Sequence, residues 1–362
     1  MSTPHPATDV QINTLTLPGD LSATHSIWTS SFAKYPLSKP QLESLLSHSN
    51  GHHLLARLNS EPVGFCLAYT KTAPPDEKNQ GRNHTDHEDK PITSTTGYIA
   101  VLAVHPTERN KGVGTALVSD VKEWFKKSFG KCRIEVGSGI PRFWPGIPVS
   151  MSNSAVAEGG RECEEESALT FFANRGFTIR PDPPRAVDLY RDIRDFKLNE
   201  SSEGVEYGTK AKEAGYTFSP LTEEGYEECL RCQKRNFGYN ADWVNAYRTL
   251  HPTKYPECIM VGYDPTGRQA AWTLMLPPDP LVDKIWAMPA VCGPLTGLIG
   301  CVGVDKEQRG TGIGIALVAA AMESLKRRGV EGVFVDWVAI EGFYERLGFG
   351  IWGRYRVGEI VV

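Results

Sequence analysis

The feature that most constrains the fold is a short glycine-rich segment that occurs twice. The later copy runs from Cys301 to Val318, and the earlier copy lies two hundred positions before it, from Val104 to Val118. Both copies have the spacing Arg-x-x-Gly-x-Gly, which differs from the dinucleotide-binding and P-loop patterns. A repeat at this distance predicts two domains of similar construction in one chain.

The later copy has the pattern of a strand, a tight turn and a helix. An apolar run precedes the turn, and apolar residues follow it at helical spacing. The first N–H groups of such a helix have no partner inside it, and the helix dipole adds partial positive charge, so the turn can bind an anion. Because Gly312 and Gly314 lack Cβ, we expect a pyrophosphate to approach the backbone there. For one copy alone, an ordinary strand-to-helix turn is the alternative.

A second pair of segments repeats further along each half. Phe171 to Phe177 matches Phe343 to Phe349, with a glycine and a phenylalanine closing each copy. The first half holds more residues between its two motifs than the second half does. The extra residues fall in a proline-aromatic loop and the acidic segment after it, so they should lie outside the core.

Together the two motifs resemble those of the GNAT superfamily of acyl-CoA N-acyltransferases, in which this turn holds the pyrophosphate of coenzyme A. The resemblance covers essentially the whole chain. It implies an α/β fold with mixed (α+β) sheets and two tandem GNAT domains. We expect a non-catalytic N-terminal domain at residues 1–196, with loops at 72–96 and 138–166, a linker at 197–214, and a catalytic domain at 215–362.

The resemblance also implies which residues bind acetyl-CoA as a co-substrate. In the second half these are Cys301, Val302, Val304, Arg309, Gly310, Thr311, Gly312, Ile313, Gly314, Ile315, Phe343 and Arg346. A possible second coenzyme site in the first half comprises Arg109, Gly112, Val113 and Gly114. A backbone N–H of Val304 or its neighbour is expected to donate to the thioester carbonyl.

One matched position differs chemically between the halves, with Phe172 in the first and Tyr344 in the second. In many GNAT enzymes a tyrosine here lies near the coenzyme sulfur. A phenol can protonate the departing thiolate as a general acid, whereas phenylalanine cannot. This difference favours catalysis in the second half. The alternative is a core aromatic whose hydroxyl reaches the surface.

Asp336 is the second candidate catalytic residue. It interrupts a strand that should be buried, and a carboxylate there is costly unless it is paired or faces a wet cleft. In the GNAT architecture this strand splays from the glycine-turn strand, so Asp336 could bind an ammonium group and take its proton. A structural aspartate is the alternative. Glu135, with Arg133 nearby, keeps a first-half site open.

A finer likeness is to glucosamine and glucosaminide N-acetyltransferases, carried by Phe143 to Pro148, Asp336-Trp337 and Phe343-Tyr344. It implies acetyl transfer to a primary amine, glucosamine or a related amino sugar, by direct attack in a ternary complex. Side chains that suit a sugar are Trp337, Trp243, Tyr239 and Asn240. The alternatives are a protein lysine, histone or polyamine N-acetyltransferase, and a non-catalytic acyl-CoA sensor.

Composition narrows the remaining classes. The 362 residues carry a formal net charge of -4, which gives no reason to expect a nucleic-acid partner. We expect no signal peptide, no membrane span and a cytoplasmic location. The eight cysteines should be reduced thiols, and we expect no metal, since neither Cys229 with Cys232 nor His84 with His87 forms a convincing site. The sequence leaves open whether the protein is a monomer or a dimer.

Five segments carry secondary-structure predictions that the structure tests closely. Residues 277–294 are rich in proline and predict a loop, and residues 223–250 predict helices. In the two repeated Gly-Phe motifs, residues 168–175 and 341–347 each predict a short helix. Residues 151–166 are small, polar and acidic and predict a segment without regular structure.

Overall fold

The computed structural model describes residues 10–72, 95–137, 139–149, 162–180, 186–198, 206–250 and 252–362. All of the predicted loop 72–96 except its ends, including His84 and His87, lies outside these residues. Residues 138 and 150–161 of the predicted loop 138–166 also lie outside them.

The described residues form fifteen strands. In chain order these are β1 (Val10–Thr14), β2 (Gly51–Leu58), β3 (Glu61–Thr72), β4 (Thr95–Val104), β5 (Arg133–Val136), β6 (Ile147–Val149), β7 (Thr178–Ile179), β8 (Ala186–Asp192), β9 (Thr217–Pro220), β10 (Ile259–Tyr263), β11 (Gln269–Leu276), β12 (Thr296–Val304), β13 (Gly332–Val338), β14 (Gly350–Arg356) and β15 (Gly358–Val361).

The α-helices of the same ranges follow the same order. They are α1 (Leu21–Ser31), α2 (Lys39–Leu46), α3 (Val113–Phe129), α4 (Glu162–Ala173), α5 (Thr209–Glu213), α6 (Tyr226–Phe237), α7 (Ala241–Arg248), α8 (Tyr255–Cys258), α9 (Pro280–Ile285), α10 (Met288–Val291) and α11 (Ile313–Arg327).

The chain divides into two compact units, each built from separate stretches. The first unit comprises Met1–Ala186, Asp283–Val291 and Arg354–Val362, and the second comprises Val187–Val282 and Cys292–Gly353. The first unit has a mixed sheet in the order β1-β2-β3-β4-β5-β15-β7. The second has the order β14-β8-β13-β12-β11-β10-β9, and the end of β14 pairs with β6 in the first unit.

Each sheet contains one strand that comes from the other half of the sequence. The C-terminal β15 pairs with β5 in the first sheet, and β8 pairs with β13 in the second. The units therefore differ from the contiguous domains 1–196 and 215–362 of the sequence repeat. Each exchanged strand satisfies the backbone groups of an otherwise open edge, and the alternating pattern of such a strand does not specify which edge it joins.

One long helix covers each sheet and forms the core with it. In α3 the buried residues recur at helical spacing and are Val113, Leu117, Val118, Val121 and Phe125. In α11 the buried stripe is wider and includes Leu317, Met322 and Leu325. Truncating a leucine such as Leu317, which is fully buried, should cost about 2–5 kcal/mol.

The structure corrects three of the local predictions. The proline-rich segment 277–294 is not a plain loop, because it contains α9 and α10. In the first Gly-Phe motif the helix begins earlier than predicted, at Glu162, within the segment predicted to lack structure. In the second motif only a 3₁₀ turn over Tyr344–Leu347 forms, since Gly348 adopts a left-handed conformation and ends it.

The buried histidine of β2 should make stability depend on pH. Burial lowers the pKa of His53 to about 4, and a hydrogen bond between its Nε2 and the Leu46 carbonyl only partly opposes this. The unfolded pKa is about 6.5, so the unfolded state binds the proton first. Stability is full above pH 6.5 and falls by roughly 2–3 kcal/mol as the pH drops towards 4.

This prediction can be checked by urea unfolding between pH 7 and pH 4.5. The free energy of unfolding of the parent should fall more steeply with decreasing pH than that of His53→Gln, which cannot take up this proton. Parallel pH profiles for the two proteins would contradict the assignment.

Candidate active site

The later glycine turn joins β12 to α11 in the second unit. A 3₁₀ turn over Lys306–Gln308 leads to an extended Arg309, and both Gly310 (φ 84°) and Gly312 (φ 85°) are left-handed. Glycine adopts such a φ without the steric cost that a side chain adds. The helix then begins at Ile313, so its first N–H groups and its dipole face the turn and can bind an anion.

Side chains of α6 hold this turn in place. The Asp305 carboxylate accepts the Glu307 N–H at 3.1 Å, pairs with Arg235 and accepts from Asn236 at 3.4 Å. Burial opposes ionisation of Asp305, but these hydrogen bonds outweigh it and lower its pKa. Asn236 also accepts the Lys306 N–H at 3.3 Å. The turn is thus braced by the protein itself.

The earlier turn, in the first unit, has the same backbone shape. Gly112 has φ 85°, and Asn110, with φ 63°, stands where the later turn has a glycine. Asparagine is among the few residues that tolerate this region. The Arg109 Nε donates to the Val104 carbonyl at 3.5 Å, and Arg309 makes the same contact in its own turn. Both turns are therefore shaped for an anion.

The second glycine of each turn serves packing. A Cβ on Gly314 would lie 3.3 Å from the ring of Phe343, and a Cβ on Gly114 would lie 3.2 Å from Phe171. The approach of a pyrophosphate at Gly314 stays a prediction. The missing Cβ also makes room for the Gly-Phe motif, which explains why the two repeated segments occur together.

The strands β12 and β13 separate beside the turn. Their parallel register ends at Leu298 and Phe334, although β12 runs on to Val304 and β13 to Val338. The splay that the GNAT resemblance implied is therefore present in the second unit. We call the space between the diverging segments the gap.

Each side of the gap carries a strand residue in a left-handed conformation. Cys301 in β12 has φ 50° and Trp337 in β13 has φ 54°, and no other non-glycine strand residue in the described ranges has a positive φ. Such a conformation costs about 1–3 kcal/mol and tends to cluster at functional sites. This backbone strain is the structural sign that points to the gap.

On the β12 side, the strain belongs to a bulge. In the ladder between β11 and β12 the single residue Thr273 faces both Cys301 and Val302. Tyr247 of α7 is fully buried, and its hydroxyl donates to the Cys301 carbonyl at 2.8 Å. The phenol therefore holds one wall of the gap in its unusual shape.

The bulge leaves two backbone N–H groups facing the gap. The Asp305 N–H donates to the Ala270 carbonyl of β11 at 2.8 Å. Because an antiparallel ladder alternates, the N–H groups of Val304 and Val302 point away from β11 and towards the gap. Val302 is the second residue of the bulge, and its N–H faces the gap on the same side as that of Val304.

On the β13 side, a second bulge contains Asp336, the predicted catalytic carboxylate. In the ladder with β8 the single residue Asp188 faces both Asp336 and Trp337. Asp188 is 1% exposed and accepts the Trp337 N–H at 3.0 Å. Asp336 is half-buried, whereas the Trp337 side chain is 37% exposed.

Tyr344 lies in the 3₁₀ turn of the same unit and is buried. Burial raises the pKa of its phenol well above the ordinary value, and negative charge on Asp336 and Cys301 raises it further. The phenol therefore keeps its proton at neutral pH, as a general acid must. Phe343 packs edge-on against it, with ring centroids 4.8 Å apart.

Family models match two parts of the chain. Residues 21–139 match the model described as "Acetyltransferase (GNAT) family", and residues 282–351 match "Acetyltransferase (GNAT) domain". Together the matches cover just over half of the chain. The chain belongs to the GNAT acetyltransferase family. It is a tandem GNAT protein, as its repeated motifs predicted.

Two solved structures have the same tandem GNAT fold. A glucosamine N-acetyltransferase region of a fungal multi-domain GH3 β-N-acetylglucosaminidase matches with a TM-score of 0.79 and 27% identity, over 99% of this chain and 39% of that chain. A tandem GNAT protein from the clavulanic acid biosynthesis pathway matches with a TM-score of 0.60 over 98% of both chains. Its 17% identity supports the fold alone.

A curated relative matches over a shorter stretch. Mycothiol acetyltransferase of Thermobispora bispora is 45% identical over 64 residues, which is 17% of this chain and 21% of that protein. This chain therefore corresponds to well under half of the length of both the fungal structure and this relative. No helix within the described ranges has the length and apolar character needed to cross a membrane.

The first GNAT unit differs from the second at the place that corresponds to the gap. Its parallel register pairs Thr96 with Arg133, as the second pairs Thr296 with Gly332. Counting from these pairs, the position of Asp336 is taken by Gly137, whose N–H donates to the Ile99 carbonyl at 3.0 Å. A side chain at Gly137 would meet the Pro145 carbonyl at 2.8 Å.

The proline-aromatic loop of the first unit is buried instead of forming an open pocket wall. Phe143 and Trp144 are almost fully buried and pack on Trp28 of α1 at centroid distances of 5.9 and 5.8 Å, with the Phe143 ring tilted and the Trp144 ring stacked. Phe65 of β3 also stacks on Trp28. These rings form a packed aromatic cluster.

Glu135, the first-half alternative to Asp336, is engaged in ion pairs. It lies 3.9 Å from Arg133 and 3.5 Å from Arg180, and both arginines also pair with Glu359. By the strand register Glu135 corresponds to Phe334 and not to Asp336. Its surroundings are those of a surface ion-pair network.

The other predicted coenzyme residues differ in their burial and contacts. Thr311 donates its hydroxyl to the Gln308 carbonyl at 2.9 Å, and Ile313 is buried in the core. Ile315 is partly buried against the same core, and Arg346 is exposed. Val113 of the earlier turn is buried like Ile313.

Two of the predicted sugar-binding residues, Trp243 and Asn240, make contacts that stabilise the fold. The Trp243 ring stacks on Phe237 at 4.6 Å, and its N–H donates to Gln233 at 2.9 Å. Asn240 caps α7, and Tyr239 is 75% exposed. The structure therefore places Trp337 on the gap and gives Trp243 and Asn240 packing and capping contacts.

Tyr247 and Asp188 are the residues that sequence reasoning missed. A carboxylate between the apolar residues Val187 and Leu189 was a visible signal, because a buried charge needs a purpose. For Tyr247 no comparable signal exists in the sequence, since its partner is a backbone carbonyl 54 positions away.

A matched pair of glycine variants should show which of the two turns is needed for acetyl transfer. Gly112→Ala and Gly312→Ala introduce the same strain at φ 85°, so each should lose roughly 1–2 kcal/mol of stability. Only Gly312→Ala should also lower the acetyl-transfer rate, because its turn adjoins the gap. Thermal unfolding and steady-state kinetics measure the two effects, and an equal loss of rate in both variants would contradict the assignment.

Proposed function

We propose that the second unit transfers the acetyl group of acetyl-CoA to a primary amine, and that the amine belongs to glucosamine or a related amino sugar. The observation that carries this proposal is the combination found at the gap. A braced anion turn, two inward-facing N–H groups, a buried protonated phenol and a half-buried carboxylate lie in one unit.

The later turn is suited to the diphosphate of acetyl-CoA. Its left-handed glycines expose main-chain N–H groups at the start of α11, and Arg309 supplies positive charge in the turn itself. The pantetheine arm would then run along β12, where the N–H groups of Val304 and Val302 face outwards. This arrangement would bring the thioester to the bulge at Cys301.

The chemistry follows from the charges on either side of the gap. An ammonium group must lose a proton before it can attack, and Asp336 would bind the ammonium and accept that proton. The amine attacks the thioester carbon, and the Val302 N–H stabilises the oxyanion that forms. When the C–S bond breaks, Tyr344 donates its proton to the thiolate. The attacking nitrogen then loses its remaining excess proton, which restores the Tyr344 phenol, and the products are an amide and free coenzyme A.

An amino sugar suits the exposed groups at the gap. A sugar has hydroxyls that can donate hydrogen bonds to a carboxylate, and an apolar ring face that an aromatic side chain can cover. Asp336 and the partly exposed Trp337 are neighbours in β13 and offer both. The likeness to the fungal glucosamine N-acetyltransferase region, at 27% identity over 99% of this chain, supports the same choice.

We propose that the first unit does not catalyse transfer. It has Phe172 in place of the tyrosine and Gly137 in place of the aspartate, so it lacks both proton-moving groups. Its turn at Arg109, Gly112, Val113 and Gly114 retains the shape for a second coenzyme molecule. The reaction would take place in a reducing compartment such as the cytoplasm, which suits the seven free cysteines described.

The proposal is tested by incubating the protein with acetyl-CoA and a panel of amines while free coenzyme A is measured. Glucosamine should release coenzyme A faster than a lysine peptide or a polyamine. Release with the peptide or polyamine but not with glucosamine would overturn the acceptor. Binding of acetyl-CoA without turnover of any amine would overturn the enzyme in favour of a sensor.

Two substitutions test the proposed roles in the same assay. Tyr344→Phe, which copies the first unit's Phe172, and Asp336→Asn should each lower kcat by roughly 10²-fold, because each removes a proton-moving group. Phe172→Tyr is the matched control and should leave kcat unchanged. Parent-like rates for both Tyr344→Phe and Asp336→Asn would remove these residues from the chemistry.

A further inference from the structure

Asp188 is a buried carboxylate in a strand that is apolar on both sides. Its neighbours Val187 and Leu189 are 2% and 0% exposed, and Asp188 itself is 1% exposed. Because side chains alternate along a strand, Asp188 lies on the face opposite to theirs. Burying a carboxylate is costly unless hydrogen bonds compensate for the lost water. Its main-chain partner therefore indicates what this residue does.

That partner is a strained part of the gap. Asp188 accepts the N–H of Trp337, which is held at φ 54°. A main-chain N–H bonded to a buried carboxyl oxygen stabilises the conformation that places it there, whereas a left-handed non-glycine residue has a steric cost. The hydrogen bond therefore opposes the strain at Trp337.

The strain determines where Asp336 lies. In a regular antiparallel ladder Asp336 would stand directly opposite Asp188, with Cβ atoms about 4.5–5.5 Å apart, and two carboxylates so placed repel each other. The bulge avoids this pairing, because Asp188 faces Asp336 and Trp337 together and the register resumes at Val338. The bulge that this contact holds thus takes Asp336 out of direct pairing with Asp188.

The opposite wall of the gap is built in the same way. There the buried Tyr247 hydroxyl holds the carbonyl of the left-handed Cys301. In the first unit the residue at the position of Asp336 is Gly137, which has φ 126° and needs no such support. In the second unit a buried polar side chain, Tyr247 or Asp188, therefore supports the strained residue on each side of the gap.

We propose that Asp188 is a positioning residue for acetyl transfer: it fixes the bulge at Trp337 and so directs Asp336 into the gap. This inference rests on the proposed function, in which Asp336 handles the amine. The strand β8 that carries Asp188 precedes the second turn by more than a hundred positions. The early half of the sequence therefore contributes to the site through this strand, even though its own turn does not catalyse.

The experiment compares three substitutions on one strand. Asp188→Val removes the acceptor and keeps a β-branched residue, Asp188→Asn keeps an oxygen acceptor, and Asp192→Val makes the same change at the exposed end of β8. Asp188→Val should lower kcat about tenfold or more, because misplacing a reacting group by an ångström has effects of this order. The KM for acetyl-CoA should stay within about twofold, since the later turn is untouched.

The other two variants serve as rescue and control. Asp188→Asn should recover most of the rate, and Asp192→Val should behave like the parent. The double variant Asp188→Val/Asp336→Asn should be no slower than Asp336→Asn, because both changes disable the same group. Parent-like kcat in Asp188→Val, or losses that multiply in the double variant, would overturn the proposal.

Hydrogen exchange gives a readout that does not need turnover. The peptide spanning residues 333–340 should exchange faster in Asp188→Val than in the parent or Asp188→Asn, and unchanged exchange would overturn the proposal. Asp188→Ala gives the same contrast if the valine variant does not fold. If Asp336→Asn is impaired and Asp188→Val is not, only this inference fails. If Asp336→Asn is parent-like, the proposed role of Asp336 and this inference fail together, whereas the amine panel tests acetyl transfer independently.

Discussion

The site depends on the early end of the parallel pairing between β12 and β13. These strands share a register over three residue pairs and then diverge, while each remains hydrogen-bonded to its outer neighbour. Backbone groups released in this way must face a ligand or solvent, because a buried unpaired N–H is costly. The divergence is stable because Tyr247 and Asp188 hold the two strained residues that shape its walls.

The two halves of the chain show how one scaffold can carry different side chains at equivalent positions. Both have the left-handed turn, the long helix behind it and the Gly-Phe motif packed on the second glycine. They differ at two positions that the proposed reaction uses, namely Phe172 against Tyr344 and Gly137 against Asp336. In the first unit the aromatic loop and the ion pairs of Glu135 give a packed, charge-balanced structure. The duplicated scaffold therefore does not imply duplicated chemistry.

Much of the architecture could be predicted from the sequence because its signals are local. The glycine turns, the apolar stripe of α11 and the capping of α2 by Ser38 each depend on residues a few positions apart. The tandem organisation followed from the repeat itself. Tyr344 became a candidate because the two halves could be compared position by position.

The remainder depends on contacts between distant residues. The exchange of β8 and β15 could not be predicted, since an alternating strand fits either edge. The bulges at Cys301 and Trp337 require side chains 54 and 149 positions away to support a conformation that propensity disfavours. The contact between Gly314 and Phe343 could not be predicted either, because the position of Phe343 relative to the turn is a property of the folded chain.

The most direct test of the account is a crystal structure with acetyl-CoA bound. We predict the diphosphate on the turn between Arg309 and Gly314, and the thioester carbonyl within hydrogen-bonding distance of the Val302 N–H. The acetyl group should lie between β12 and β13. A structure in which the coenzyme occupies only the first unit, or in which the thioester lies outside the gap, would contradict it.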